Sequence, residues 1–145
     1  MGGETIAKDL YEFERIKEVL KRQSFTERKI AKYMDKFIPD HEGMAVYGKN
    51  VVNQEPDAKI ELYFFTSDKV YAIKEVETGI KYQLMYTKDI NHIDYEISDD
   101  DEKIVTLKIK FSNGELLTLS SVNDRGAESL VSYRNMIEHI VTTLI

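Results

Sequence analysis

The spacing of apolar residues changes twice along this 145-residue chain, and these changes constrain the fold more than any other feature. Before Pro39, apolar residues recur every three or four positions, which is the period of a helix that buries one face. After Pro39 they alternate with polar residues, which is the period of a half-buried strand. The helical period returns at about Ala127. The sequence therefore predicts an α+β fold: two helices, an antiparallel sheet of about six strands and a C-terminal amphipathic helix.

Two helices are predicted before Pro39, as an N-terminal hairpin. The first covers residues 4–22 and has one apolar stripe: Ile6, Leu10, Phe13, Ile16 and Leu20. The second starts at Ser24, where Glu27 completes a capping box in which each side chain accepts a hydrogen bond from the other residue's backbone N–H. Its apolar face comprises Ile30, Tyr33 or Met34, Phe37 and Ile38. Pro39 makes helical geometry unfavourable at Ile38 and so ends this helix.

The middle of the chain reads as strands separated by turns. The predicted strand segments are 44–52, 60–66, 69–76, 80–87, 90–97, 104–111 and 115–121. Segments 80–87 and 90–97 are predicted as one strand that is interrupted at Lys88 and Asp89. Gly48 is a weak point or a bulge in the first strand. Asn113-Gly114 is a strong hairpin signal. Residues 122–126 are predicted as loop, with Asp124 or Ser121 as the cap of the last helix.

The composition excludes several kinds of site. The chain has no cysteine, so it has no disulfide, thiolate metal site or cysteine nucleophile, and a reducing cytoplasm is the expected location. Its longest apolar runs are four residues, too short for a membrane span or a signal-peptide core. We expect a cytoplasmic, single-domain protein over residues 1–145, in which the helical hairpin at 1–39 packs on the sheet of the unit that residues 44–145 form with the C-terminal helix.

The charge distribution argues against polyanionic partners. The net charge is −6, and residues 40–145 hold eleven Lys or Arg against nineteen Asp or Glu, a net of −8. An acidic body repels phosphate backbones and anionic lipid headgroups. Residues 25–34 are similar to the first helix of some helix-turn-helix regulators, but strand-like sequence follows where a recognition helix is needed. We therefore expect no nucleic-acid partner and no integral membrane association.

Two polar clusters have spacing that a metal site would use. His92, Asp94 and Glu96 share one face of a predicted strand, and Asp99 to Glu102 form an acidic run. The simpler interpretation is preferred for both, because Ile93, Tyr95 and Ile97 face the core and leave the alternate residues to water. The acidic run then forms a solvated hairpin tip. No catalytic, cofactor-binding or metal-binding residue is predicted.

Catalysis also lacks a recognisable constellation. The histidines are His41, His92 and His139, and none accompanies a nucleophile motif, a phosphate-binding loop or a dinucleotide fingerprint. We expect His139 to pack beside the apolar stripe of the last helix or to face water. The chain is accordingly interpreted as a protein that is not an enzyme and needs no cofactor.

The order of motifs from residue 60 onward resembles bacterial pleckstrin-homology-like (PH-like) domains. A Thr66-Ser67-Asp68-Lys69 turn precedes an apolar strand, an Ile90-Asn91-His92-Ile93 element starts a later strand, and a hairpin over 104–119 is followed by a closing helix. The similarity covers residues 44–145. It implies a bent, nearly orthogonal sheet sandwich capped at one end by the last helix, in a mostly non-enzymatic family whose members bind lipids, peptides or proteins.

The resemblance does not carry over a phosphoinositide site. Members that bind phosphoinositides use a Lys and Lys/Arg-x-Arg cluster around the first hairpin, whereas the matching part of this chain offers Lys49 and Lys59, separated by Glu55 and Asp57, and no Arg. Phosphoinositide binding is therefore not expected. The leading hypothesis is a PH-like module that binds an unknown protein partner, and the alternative is a small-molecule or lipid-binding domain with a pocket between sheet and helix.

The expected docking places are a free sheet edge and the groove beside the last helix. That helix has apolar residues beyond its main stripe: Val131, Met136 and Ile145. These additional apolar residues have two possible roles, and the oligomeric state depends on which of the two applies. Either the first helix covers them through Phe13, Ile16 and Leu20, which is favoured, or they form a surface for a partner or a second copy.

Overall fold

The described part of the molecule comprises residues 12–38, 44–52 and 58–145 of a computed structural model. Its elements in chain order are α1 (Phe13–Lys21), α2 (Phe25–Phe37), β1 (Ala45–Lys49), β2 (Glu61–Phe65), β3 (Lys69–Val76), β4 (Gly79–Tyr86), a 3₁₀ turn (Thr87–Asp89), β5 (Ile90–Ile97), β6 (Val105–Phe111), β7 (Leu116–Ser120), α3 (Ser121–Asp124) and α4 (Leu130–Leu144). The predicted α+β class is confirmed. The predicted helical residues Ile6 and Leu10, with Pro39 and His41, lie outside the described ranges.

The strands form two antiparallel sheets. One sheet has the order β1-β2-β3-β4 and the other has the order β5-β6-β7. The 3₁₀ turn Thr87–Asp89 separates β4 from β5, so the interrupted strand predicted from 80 to 97 is two strands that belong to different sheets. The described residues therefore contain seven strands where about six were expected. None of the helices in these ranges is long and apolar enough to cross a bilayer.

The two N-terminal helices lie on the four-stranded sheet. The Phe13 ring centroid is 5.8 Å from that of Phe64 on β2, and Ile16 approaches Gly48 on β1. Other side chains of α1 and α2 that are wholly buried are Leu20, Ile30, Ala31 and Met34. In the favoured alternative Phe13, Ile16 and Leu20 cover the last helix; this is wrong for Phe13 and Ile16, which contact the four-stranded sheet. Of the additional apolar residues on α4, Met136 is buried, whereas Val131 and Ile145 are exposed.

Gly48 marks the closest approach of helix and sheet. It pairs regularly with Leu62, so the predicted bulge at Gly48 is wrong; the register shift lies between Ile90 and His92 in β5. A Cβ at position 48 would overlap Val51 Cγ2 and lie 3.1 Å from Ile16 Cδ1. Glycine is therefore required at position 48 because the neighbouring side chains leave no space for a Cβ atom.

Helix termini depart from the predicted caps. Helix α2 starts after Ser24 and its last residue is Phe37, with Ile38 in the extended conformation that the following proline predicts. The Ser24 hydroxyl bonds the Glu27 carboxylate directly and makes no side-chain cap to the backbone. Residues predicted as loop instead form one helical turn, Ser121–Asp124. The last helix begins at Leu130, and its cap is Ser129, whose hydroxyl accepts a 3.0 Å bond from the Ser132 N–H.

Candidate functional site

A groove runs between α2 and the edge strand β4. Its walls are Lys29, Tyr33 and Phe37 from the helix and Ile73, Ile80 and Tyr82 from the sheet, and they enclose a cavity of about 220 Å³. The rings of Tyr33 and Phe37 are stacked with centroids 5.5 Å apart, and Phe37 lies 5.3 Å from Tyr82. We call this feature the α2–β4 groove.

The local periods of the two elements explain the groove. Residues 29, 33 and 37 are spaced by four on α2 and so share a helix face. Alternate residues of β4 share a sheet face, and Tyr82, Leu84 and Tyr86 therefore project on the side that carries the helix. Helix α2 ends at Ile38 and leaves this row half covered: the exposed fractions are 44% for Phe37 and 39–40% for the three β4 residues.

The strand beside the groove has a free edge. Among the described residues, β4 is hydrogen-bonded to β3 alone, so its other side presents backbone N–H and C=O groups without a strand partner. Gln83, whose side chain lies on the opposite face of β4, has a buried Oε1 atom that accepts no hydrogen bond from any described residue. The edge strand therefore carries backbone groups without a strand partner next to the apolar groove, and an unpaired side-chain oxygen on its other face.

The apolar surface continues toward the start of α2. A second cavity, of about 280 Å³, lies between that end of the helix and the β3–β4 turn and shares Lys29 and Ile80 with the groove. Phe25 lines it and is 71% exposed. The two cavities therefore adjoin and together make up a depression along α2.

Lysines surround this depression. Three ammonium groups lie over aromatic rings: Lys32 over Tyr33 at 6.0 Å from the centroid, Lys36 over Phe37 at 5.9 Å and Lys88 over Tyr86 at 5.8 Å. The acidic residues of α2 are engaged elsewhere, since Asp35 pairs with Lys17 at 2.7 Å and Glu27 bonds Ser24. None of the three lysines forms an ion pair with a described residue. The groove rim is thus basic in a chain whose net charge is −6.

A third cavity lies beside the last helix, where the sequence predicts a docking groove. Its volume is about 340 Å³, and its lining combines polar residues with a few apolar ones: Ser67, Thr87, Lys88, Ile90, Ile93, Thr143 and Leu144. The cavity lies between the start of β5 and the end of α4. It is the feature that corresponds to the alternative hypothesis of a pocket between sheet and helix.

The sequence-selected polar clusters lie on the surface. His92, Asp94 and Glu96 are exposed, with His92 Nε2 3.0 Å from Asp94 Oδ1. Within the described ranges no three His, Asp or Glu side chains are grouped to hold a metal ion. Ile93 and Tyr95 are half-buried as expected, but Ile97 is 50% exposed, so its predicted core position is wrong.

The remaining candidates are also dispersed. Asp101 accepts a hydrogen bond from the Lys103 N–H within the acidic turn. His139 is exposed on α4, which is one of its two expected positions. Lys49 turns toward β7 and donates a 2.5 Å hydrogen bond to the Thr118 carbonyl.

A buried polar cluster joins β1 to the end of the second sheet. Asp124 Oδ2 accepts 2.7 Å hydrogen bonds from the Tyr47 hydroxyl and the Ser120 N–H, and Lys49 Nζ lies 3.9 Å from its other oxygen. Burial raises the pKa of Asp124, an effect that Lys49 opposes, and burial beside Asp124 raises the pKa of Tyr47 well above its usual value. The Tyr133 hydroxyl donates to the Gly48 carbonyl nearby. Because these groups satisfy one another, the cluster is explained by structure and needs no ligand.

The fold and the groove define the class of this protein: an α+β molecule of two antiparallel sheets with an aromatic, lysine-rimmed groove at a free sheet edge. Residues 7–134 match the family described as "Protein of unknown function (DUF3908)", and the chain belongs to that family. The matched range includes both described N-terminal helices and all seven strands, and it ends within α4. No curated protein and no solved structure matches the chain.

Proposed function

We propose that the protein is a non-enzymatic, PH-like interaction module of the bacterial cytoplasm that binds another protein through the α2–β4 groove. Two features support the PH-like part. The two antiparallel sheets followed by a helix agree with the architecture that the resemblance implies. In the Thr66–Lys69 turn, the Thr66 hydroxyl accepts a 2.9 Å bond from the Lys69 N–H, which gives the quoted motif a structural role.

The observation that carries the proposal is the partly exposed apolar row beside a free edge. Phe37, Tyr82, Leu84 and Tyr86 each expose about two-fifths of their surface in one contiguous row. Exposed apolar side chains grouped in this way mark interaction surfaces more often than single exposed residues do. Tyrosine and phenylalanine are also enriched at the centres of protein interfaces.

Site-specific photo-crosslinking tests this proposal. A photoreactive phenylalanine analogue replaces Leu84, which is exposed on β4 beside the groove, or Leu116, which is 58% exposed on β7 in the other sheet. After irradiation in the native host, we expect a discrete crosslinked polypeptide from position 84 and none from position 116. The captured chain is then purified, and its affinity for the wild type and for Leu84→Ser is measured by calorimetry. Equal crosslinking at both positions, or equal affinities, would contradict the proposal.

A second candidate function is small-ligand binding in the cavity between β5 and α4. Its volume of about 340 Å³ is at the lower end of the range of ligand pockets, roughly 300–1,000 Å³. The measurement is native mass spectrometry of protein purified from its own host. A retained non-polypeptide mass that disappears in Ile93→Glu supports the pocket, and the bare mass of the chain alone counts against it.

A further inference from the structure

We infer that the segment received by the α2–β4 groove is acidic and extended, and that it adds to β4 as a further strand; this inference rests on the proposed function. Its chemistry is a run of alternating apolar and Asp or Glu residues. The proposal comes from three properties that coincide at this place: the free strand edge, the apolar row and the basic rim.

The free edge determines the conformation of the ligand. An extended peptide satisfies the unpaired N–H and C=O groups of β4 by forming a new ladder, the mode known as β-augmentation. In such a strand, alternate side chains lie on the same face as Tyr82 and Leu84, at about 4.8 Å lateral spacing from β4. Those side chains are placed against the exposed part of Phe37, which limits the groove on the helix side.

The rim determines the charge of the ligand. Lys29 lines the groove, and Lys32, Lys36 and Lys88 lie over rings that line or flank it. The two acidic side chains of the second cavity, at the β3–β4 turn, are Glu75 and Glu77, and Glu75 already accepts a hydrogen bond from the Ile60 N–H. Carboxylates on the bound segment therefore face a predominantly basic rim, and opposite charge favours both encounter and register.

Aromatic residues with a basic rim are also features of surfaces that bind anionic membranes, so a lipid surface is the alternative ligand of the α2–β4 groove. Two observations favour the peptide. Tyr33, Phe37 and Tyr82 line a concave cavity, whereas insertion into a bilayer requires apolar groups that project outward. The rest of the chain is acidic, so an anionic membrane attracts the rim and repels the body.

Phage display of random peptides tests the inference with the full-length protein. Peptides of about 12 residues are long enough to span β4 at roughly 3.3 Å per residue. The library is selected on the wild type after depletion on Leu84→Ser. We expect enrichment of sequences that alternate Asp or Glu with aromatic or branched apolar residues. Enrichment of basic or uncharged sequences, or no enrichment over the depleted library, would overturn the inference.

Matched variants then locate the binding of an enriched peptide by fluorescence anisotropy. Leu84→Ser should weaken binding about tenfold or more, as loss of a central interface residue does, whereas Leu116→Ser should not. Lys36→Glu should weaken binding by about three- to tenfold, with a smaller effect at high salt, whereas the exposed Lys110→Glu on β6 should not. Circular dichroism melts of all four variants confirm that they remain folded. Equal losses within either pair count against the inference.

The outcome for the proposed function is read separately. If position 84 crosslinks a protein while the selected peptides are basic or uncharged, the interaction module stands and the acidic-strand inference fails. If the wild type instead sediments with vesicles of phosphatidylcholine and phosphatidylserine, and Lys36→Glu abolishes this, the groove binds lipid and both proposals fail.

Discussion

Asp124 is the central residue of the buried polar cluster that joins β1 to the end of the second sheet. Its carboxylate accepts hydrogen bonds from the Tyr47 hydroxyl and the Ser120 N–H, and it lies near the Lys49 ammonium, in a place where only 6% of the residue is exposed. An acceptor shared by buried donors is costly to remove, because each donor then lacks a partner without regaining water.

Replacement of Asp124 by alanine is therefore expected to destabilise the fold by about 2–4 kcal/mol. Urea unfolding followed by circular dichroism measures this, with Asp94→Ala on the exposed face of β5 as the control that stays within about 0.5 kcal/mol of the wild type. Adding Tyr47→Phe removes one orphaned donor, so the double variant should lose less than the sum of the single losses. Equal stability of Asp124→Ala and the wild type would contradict the structural role given to the cluster.

Individual residues of the candidate site were the hardest part to predict from sequence. Tyr82 and Leu84 alternate with polar residues, which is the pattern of a half-buried strand. This pattern does not indicate where the helix that covers the strand ends, and that end decides which side chains stay exposed. Tyr33 and Met34 were equal candidates for the core face of α2; the structure buries Met34 and directs Tyr33 to the groove. The partners Tyr47 and Asp124 are 77 positions apart, and no local pattern joins them.

Among the elements, helices and strands were predictable because their hydrophobic periods are long and regular. Predicted segments such as 69–76 agree with the observed β3 (Lys69–Val76). Hydrophobic periodicity does not indicate which sheet a strand joins. Strands β4 and β5 belong to different sheets although only a short 3₁₀ turn separates them in the sequence. The helical turn Ser121–Asp124 was missed for a related reason: it is too short to show a period, and its cap comes from the Ser120 side chain.

The contact between α1 and β1 leads to a prediction at Gly48. Alanine at this position would force Val51, Ile16 and Leu62 to move, because its Cβ overlaps or crowds all three side chains. We expect Gly48→Ala to destabilise the protein by about 1–3 kcal/mol, the usual cost of overpacking. Urea midpoints of Gly48→Ala and the surface control Asn91→Ala are compared. If both match the wild type, helix and strand are less tightly packed than described.

At the scale of the whole molecule, the N-terminal helices serve two purposes. They bury one face of the four-stranded sheet, and α2 supplies half of the proposed groove. The sheet residues that this cover protects include Val46, Leu62, Phe64 and Ile73. Packing of the helices on the sheet was predicted, but the sequence did not indicate that the four-stranded sheet, and not the last helix, receives Phe13 and Ile16.

Deletion of residues 1–38 should therefore expose an apolar sheet face and convert the protein into a self-associating or aggregating species. Size-exclusion chromatography with light scattering compares the deletion with the full chain, and binding of a hydrophobic dye reports the exposed surface. A truncated protein that has the same association state and stability as the full chain would contradict this. The helices would then be an independent arm and the best candidate for the partner-binding element.

The buried polar cluster around Asp124 also affects how the chain folds. The Tyr133 hydroxyl meets the Gly48 carbonyl across 85 positions, and Tyr47 meets Asp124 across 77. Contacts of such long sequence separation carry a large loop-closure entropy and belong to slow-folding topologies. During synthesis, β1 can pair with β2 early, but Tyr47 and Gly48 gain their partners only after residues 124–133 have left the ribosome. Until then the face of the first sheet that carries Tyr47 lacks its contacts with the second sheet and the last helix, and this interval is when a chaperone has the most to protect.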